Sequence, residues 1–162
     1  MSLPEGGSPE ARLAALGLTL QKVTPPLAAY VPAVRTGDYV YTAGQLPVVD
    51  GQLLATGKVG ADVGAAEASA LARTCALNAL AAVATVTGGL DAIRRIVKVT
   101  GFVASAPSFT QQAQVINGAS ELLIEVFGEA GRHARSAVGM AVLPLDAPVE
   151  VELIAEVSDP SG

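Results

Sequence analysis

The segment Arg132-His133-Ala134-Arg135-Ser136-Ala137-Val138-Gly139, continuing through Leu143-Pro144-Leu145-Asp146 to Val149-Glu150-Val151-Glu152, decides how this chain is read. In its last run Val149, Val151, Leu153, Ala155 and Val157 fall on one face. Glu150, Glu152, Ile154 and Glu156 fall on the other, the period-two pattern of a half-buried strand. The spacing predicts two strands, Ser136–Leu143 and Val149–Val157, closing the chain as a hairpin around the proline turn. Arg135 stands just before the first of them. A guanidinium keeps its proton and grips a carboxylate through two parallel hydrogen bonds. A cation at the entrance to an apolar strand, with carboxylates returning on the next, points to a site for a small anionic ligand. The same residues also fit an internal ion pair at a solvated strand end.

Working outward, Ile96–Ala104 is β-branched and aromatic enough for a central strand. Between it and Arg135 a helix runs from the Ser105–Ser108 turn to about Phe127. Its apolar positions Val115, Ile116, Ala119, Leu122, Leu123 and Val126 keep a 3.6-residue period, and Gly128 stops it. Ala65–Thr87 is a longer helix, ended by Gly88-Gly89. Those glycines follow a helix instead of opening one after a strand, so they are a C-terminal cap and not a phosphate loop. Upstream, Ala29–Arg35 and Tyr39–Leu46 read as a hairpin turning at Thr36-Gly37-Asp38. Gly51–Lys58 is a loop or a short irregular strand. Ser8-Pro9-Glu10 starts a short helix through Leu16, with a hydroxyl cap, proline in the first turn and an early acid, and Gly17 stops it. Thr19–Val23 alternates weakly as a first strand before Pro25-Pro26 break it.

Strand hairpin, helix, strand, helix, strand hairpin is not the order of a doubly wound parallel sheet. It predicts an α+β fold, one mixed β-sheet with two helices packed on one face. Three parts follow: an N-terminal extension with a short helix over 1–18, the α+β domain over 19–158, and a tail over 159–162. The composition says what covers the other face. Charged residues make up only 15% of the 162 and hydrophobic residues 51%, so one copy has too few charges to coat its surface. A closed homo-oligomer follows.

The net charge is −5 and aromatics are 4%, with a pI near 4.8. This balance lacks the basic or stacking platform that nucleic-acid binding uses. The one cysteine, Cys75, cannot close an internal disulfide and reads as a small buried hydrophobe. Residues 1–7 lack the basic and apolar regions of a signal peptide, and Glu67, Arg73 and Asn78 interrupt the Ala-rich helix. The expectation is a cytoplasmic protein with no membrane contact. His133, the only histidine, reads as a surface bystander.

These motifs together resemble one family, the Rid proteins (YjgF/RidA, also called L-PSP endoribonuclease-like). The carriers are Tyr41-Thr42-Ala43-Gly44-Gln45-Leu46-Pro47-Val48, the Ile96–Val103 strand, and Ala134-Arg135-Ser136-Ala137-Val138 leading to Leu143-Pro144 and Glu150-Val151-Glu152. The resemblance spans roughly residues 20–157. It implies a chorismate-mutase-like fold, a homotrimer and ligand clefts between subunits. It also implies cofactor-independent, metal-free hydrolysis of 2-imino acids to 2-keto acids and ammonia, a 2-iminobutanoate/2-iminopropanoate deaminase-type activity. By this resemblance Arg135 anchors the substrate carboxylate and Glu150 positions water. Gly44 and Ala137 contribute backbone groups, Tyr30 closes the cleft and Asn117 lines it. Two positions depart from the pattern. Ala137 stands where many deaminating members have a cysteine, and Ala43 where a serine is common. A protein that binds a keto acid without turning it over is the alternative these departures leave, with endoribonuclease activity further behind.

Overall fold

A computed structural model describes residues 6–24 and 28–159. The Pro25-Pro26 break, the first five residues and the tail beyond Asp159 lie outside the described residues. The elements are α1 (Pro9–Ala15), β1 (Ala33–Thr36), β2 (Tyr39–Thr42), β3 (Val48–Val49), β4 (Gln52–Leu53), α2 (Ala65–Thr87), β5 (Ile93–Ala104), α3 (Gln112–Phe127), β6 (Ala134–Met140) and β7 (Val149–Val157). Five strands form one sheet in the order β1-β2-β7-β5-β6, and β3 and β4 pair as a separate small hairpin. All neighbours in the large sheet are antiparallel except β5 and β6. The sheet is therefore mixed, as the element order predicts.

The closing hairpin is a correction. β6 does not pair with β7: it runs parallel to β5, joined to it through α3, and β7 returns on the other side of β5 to lie between β5 and β2. Burial explains the choice. Every odd position of β7 from Val149 to Val157 is buried, so the strand is worth most where it has neighbours on both sides. In β6 only Arg135 and Ala137 are even half-buried, which suits an edge. The connection between them turns sharply at Leu145 and Asp146, both at positive φ (59° each). Asp146 is held there by its carbonyl accepting from the Gly57 N–H at 2.9 Å.

Other differences are at margins. Residues 18–24 make no strand, so the weak alternation of Thr19–Val23 did not suffice. The first hairpin is shorter than its apolar run, although Gln45 still bridges to Val151 beyond the end of β2. Ile93 to Arg95 extend β5 upstream of the predicted Ile96. The Gly51–Lys58 stretch supplies Gln52 and Leu53 as β4.

Both helices lie on one face of the sheet. α2 contributes eleven buried residues, Cys75 among them, and packs on α3 and β7. It ends at Gly88, whose φ of 83° is the left-handed cap that glycine adopts without penalty. By length and composition α2 would cross a bilayer, yet 56% of its most apolar window is buried within the domain, so it is a core helix. α1 also joins this core: Ser8 caps it by accepting from the Ala11 N–H at 3.3 Å, and Leu13 is 5% exposed. Glu10 ties α1 to the turn before β5, its Oε1 accepting from the Leu90 N–H at 3.1 Å.

The opposite face of the sheet carries Glu150, Glu152, Ile154 and Glu156, each half-buried. Around them Val34, Tyr39, Tyr41, Val138 and Met140 are exposed. Register puts all five on that face, because Tyr39 and Tyr41 pair with Glu156 and Ile154, Val34 with Tyr41, and Val138 with Phe102, the partner of Glu150.

Candidate functional site

The six residues singled out in the sequence form two clusters. The first is built where β6 leaves the edge of the sheet beside α3. Arg135 pairs with Val99 and Ala137 with Gly101, and Val99 is fully buried against the helices. Arg135 therefore points to the helix side. Its Nη1 donates to Asn117 Oδ1 at 2.8 Å and to Ser120 Oγ at 3.1 Å. Asn117 and Ser120 are three apart on α3, hence on one face of it. Among the described residues the ion pairs are Arg35–Asp159, Arg73–Glu125 and Arg132–Glu129. Arg135 is in none of them. Two hydrogen bonds from a single Nη leave the rest of a five-donor guanidinium to grip an anion. Among the described residues no carboxylate makes the internal ion pair that was the other reading of Arg135.

Ser120 and His133 complete this cluster. Ser120 Oγ lies 2.9 Å from His133 Nε2, and His133 Nδ1 lies 2.6 Å from the Gly131 carbonyl oxygen. Burial pushes the imidazole below its usual pKa of 6.5, and the Arg135 charge lowers it further, partly offset by the bond to Gly131. Sequence reasoning set His133 aside and did not notice Ser120. The signal was there: Ser120 sits one turn from Asn117, on the same face of the helix.

The second cluster lies around Glu150 at the start of β7. Phe102 is the β5 partner of Glu150, which places the carboxyl on the face away from the helices. Gly44 packs directly on it, and a Cβ at that position would overlap Glu150 Oε1. Only a residue with no side chain lets backbone and carboxyl approach this closely. Burial raises the Glu150 pKa above its usual 4.5, and the neighbouring Glu152 raises it further. Tyr30, 59% exposed, and Gly44 line one cleft of about 200 Å³, with Pro32, Gln45, Leu46 and Asn78. Asn78 is the polar residue that sequence reasoning missed here. It is 8% exposed, and its Nδ2 donates to the carbonyls of Leu46 and Val48 at 3.0 and 2.9 Å. That pins the loop leading away from Gly44.

The two clusters are not together within one chain. Arg135 and Glu150 lie on opposite faces of the sheet. Val138, three residues beyond Arg135, pairs with Phe102, which pairs with Glu150. Two strand spacings and three residues of rise put their backbones about 14 Å apart. Ala137 stays with the Arg135 cluster, half-buried and packed against the core. Among the described residues no group of three or more His, Cys, Asp or Glu side chains is placed to hold a metal ion.

Comparison with known proteins matches this arrangement to a family. Residues 10–157 match the model described as "YjgF/chorismate_mutase-like, putative endoribonuclease". Protein TCP17 of Trypanosoma cruzi is 43% identical over 160 residues, 98% of this chain and 100% of that protein. The crystal structure of Atu1372 from Agrobacterium tumefaciens, a protein of unknown function, superposes with a TM-score of 0.86 at 49% identity, covering 93% of this chain and 92% of that one. The structure of Escherichia coli TdcF with bound serine has a TM-score of 0.63 at 27% identity, covering 86% and 97%. With the mixed sheet, the two helices on one face and nearly the whole length matched, this chain belongs to the YjgF (Rid) family.

Proposed function

We propose that the protein hydrolyses 2-imino acids to 2-keto acids and ammonia, without a cofactor, at a site shared between copies of the chain in a homotrimer. The observation that carries this reading is Arg135, oriented by Asn117 and Ser120 and free of any internal carboxylate among the described residues. It can hold a substrate carboxylate in a two-point grip, each charge-assisted bond contributing about 1.5–3 kcal/mol net. The serine bound in TdcF is a small carboxylate of the same class.

The chemistry then needs one water, whose two protons pass in turn to nitrogen. Water oxygen bonds to C2 while the C=N π pair moves to nitrogen and takes up the first proton, giving a neutral tetrahedral carbinolamine. Transfer of the second proton from the hydroxyl to nitrogen and cleavage of C–N, with the C–N pair leaving on nitrogen, release ammonia and the keto acid. Glu150, half-buried and with a raised pKa, is the group that takes and returns each proton. An imine is already electrophilic, so orientation and one general acid–base group suffice.

The geometry within one chain supports a shared site. About 14 Å and a sheet separate the two clusters, too far for one small substrate. The exposed Tyr39, Tyr41, Val138 and Met140 share the helix-free face with Glu150, an apolar surface suited to a second copy. Asn117, Arg135 and Ala137 of one copy then face Tyr30, Gly44 and Glu150 of the next.

The test is to generate 2-iminopropanoate in place with an amino-acid oxidase and follow its loss. Acceleration by micromolar protein supports the reading, and none refutes it. Ala137 favours a second reading, a keto-acid-binding protein without turnover, since at that position it supplies no side-chain acid or nucleophile. Carboxylate binding that Arg135→Ala abolishes, in a protein with no hydrolytic activity, would select it. A sedimenting monomer would remove the shared site from both. The acidic balance of the chain speaks against the endoribonuclease activity in the family description.

A further inference from the structure

We infer that Ser120 and His133 are positioning residues for Arg135, linked in one directed hydrogen-bond chain that ends on the Gly131 carbonyl. The inference rests on the reading of Arg135 as the carboxylate anchor and adds the two residues that aim it.

The direction of each bond is forced. A carbonyl oxygen only accepts, so the 2.6 Å contact from Gly131 puts the proton of neutral His133 on Nδ1. Nε2 is then an acceptor, and the group 2.9 Å from it is the Ser120 hydroxyl, which must donate. With its proton committed to His133, Ser120 Oγ offers lone pairs, and Arg135 Nη1 donates to one of them at 3.1 Å. Asn117 Oδ1 takes a bond from the same Nη1 at 2.8 Å. A guanidinium on a flexible stem is thus fixed at one nitrogen by two acceptors. One of them, the Ser120 oxygen, is itself fixed by an imidazole braced on backbone. Burial keeps His133 neutral, the form this chain of donors requires. Preorganisation of this kind removes ordering entropy from the binding step.

The chain has one histidine, so its nitrogen spectrum is unambiguous. Long-range ¹H–¹⁵N NMR of the full-length protein at neutral pH should show the Nδ1–H tautomer in wild type. In Ser120→Ala the Nε2 signal should move, and rotation about the Arg135 Nε–Cζ bond should quicken. The same variant should bind pyruvate about 2- to 10-fold more weakly, Ser120→Thr should restore both signals, and His133→Phe should change Arg135 rotation and pyruvate affinity as Ser120→Ala does. The Ser120→Ala/His133→Phe double variant should lose no more than either single one. An Nε2–H tautomer in wild type would overturn the inference. So would Arg135 dynamics and pyruvate affinity unchanged in both single variants. If wild type binds no pyruvate, or Arg135→Ala binds it equally well, the anchor reading fails, and the NMR signals still decide whether the chain of bonds exists. Urea unfolding of each variant separates these effects from lost stability, and His133→Phe carries the test if Ser120→Ala does not fold.

Discussion

The two clusters were assembled by different means, and each suits a different task. Asn117, Ser120, His133 and Arg135 lie within one α3–β6 passage, and each of the four side chains is hydrogen-bonded to a named partner. A fixed cation results, useful for holding a charge still. Tyr30 and Gly44 come from the first hairpin region and Glu150 from the far end of the chain, and the carboxyl among them is shifted by burial and a like charge toward holding a proton. A site that must move a proton near neutrality benefits from that discomfort. In the proposed function one cluster binds and the other reacts, and experiments can break that division.

The largest effect is expected from Glu150→Gln. It keeps the side chain's size and removes the proton carrier, so kcat for 2-iminopropanoate should fall by about 10²- to 10⁴-fold with KM little changed. If KM rises and kcat holds, Glu150 binds and does not react. Arg135→Ala should do the reverse, raising KM about 10- to 100-fold for the loss of a charge-assisted bond. Arg135→Lys should recover only part of this, because an ammonium cannot make the two parallel bonds.

Gly44→Ala sharpens the comparison from the backbone side. The new Cβ collides with Glu150 Oε1 and crowds its Cδ and Cγ, and a flexible side-chain end can swing away. The fold should therefore lose less than the 1–3 kcal/mol or so of an overpacked core. Activity should drop toward that of Glu150→Gln, because the carboxyl now sits elsewhere. A fully active Gly44→Ala protein would mean that the close approach has no catalytic purpose.

How far the sequence announced these clusters follows from the range of the interactions. The alternation of Val149–Val157 and the period of Val115–Val126 are local, so β7 and α3 were legible at once. Strand order was not. Nothing in Ala134–Met140 says that it pairs with β5 instead of its chain neighbour β7, since that depends on which strand gains most from a central place. Likewise Arg135 was legible as a cation beside an apolar strand, and Asn117 through the family resemblance. Their bond, and the part played by Ser120 and His133, needed the three-dimensional meeting of α3 and β6. The separation of Arg135 and Glu150 by the sheet is a matter of register, and a one-residue slip would reverse it.

The smallest effects expected are on stability against pH, and the two clusters should give slopes of opposite sign. Glu150 holds its proton more tightly folded than unfolded, since its folded pKa lies above 4.5. The native state then binds more protons above that pH, and stability is lost as pH rises through the folded pKa. Glu150→Gln has no such carboxyl, so it should gain on wild type from about pH 4 upward. His133 is the converse case, with a folded pKa below 6.5. As pH falls below 6.5 the unfolded chain takes a proton that the folded one refuses, and stability is lost toward the folded pKa. His133→Phe should gain on wild type in that direction. Chemical denaturation of the three proteins across pH 4–8 measures both differences. Slopes of the same sign would mean that one of the two environments has been misassigned. A flat difference for His133 would mean that neither burial nor the Arg135 charge disfavours its protonation.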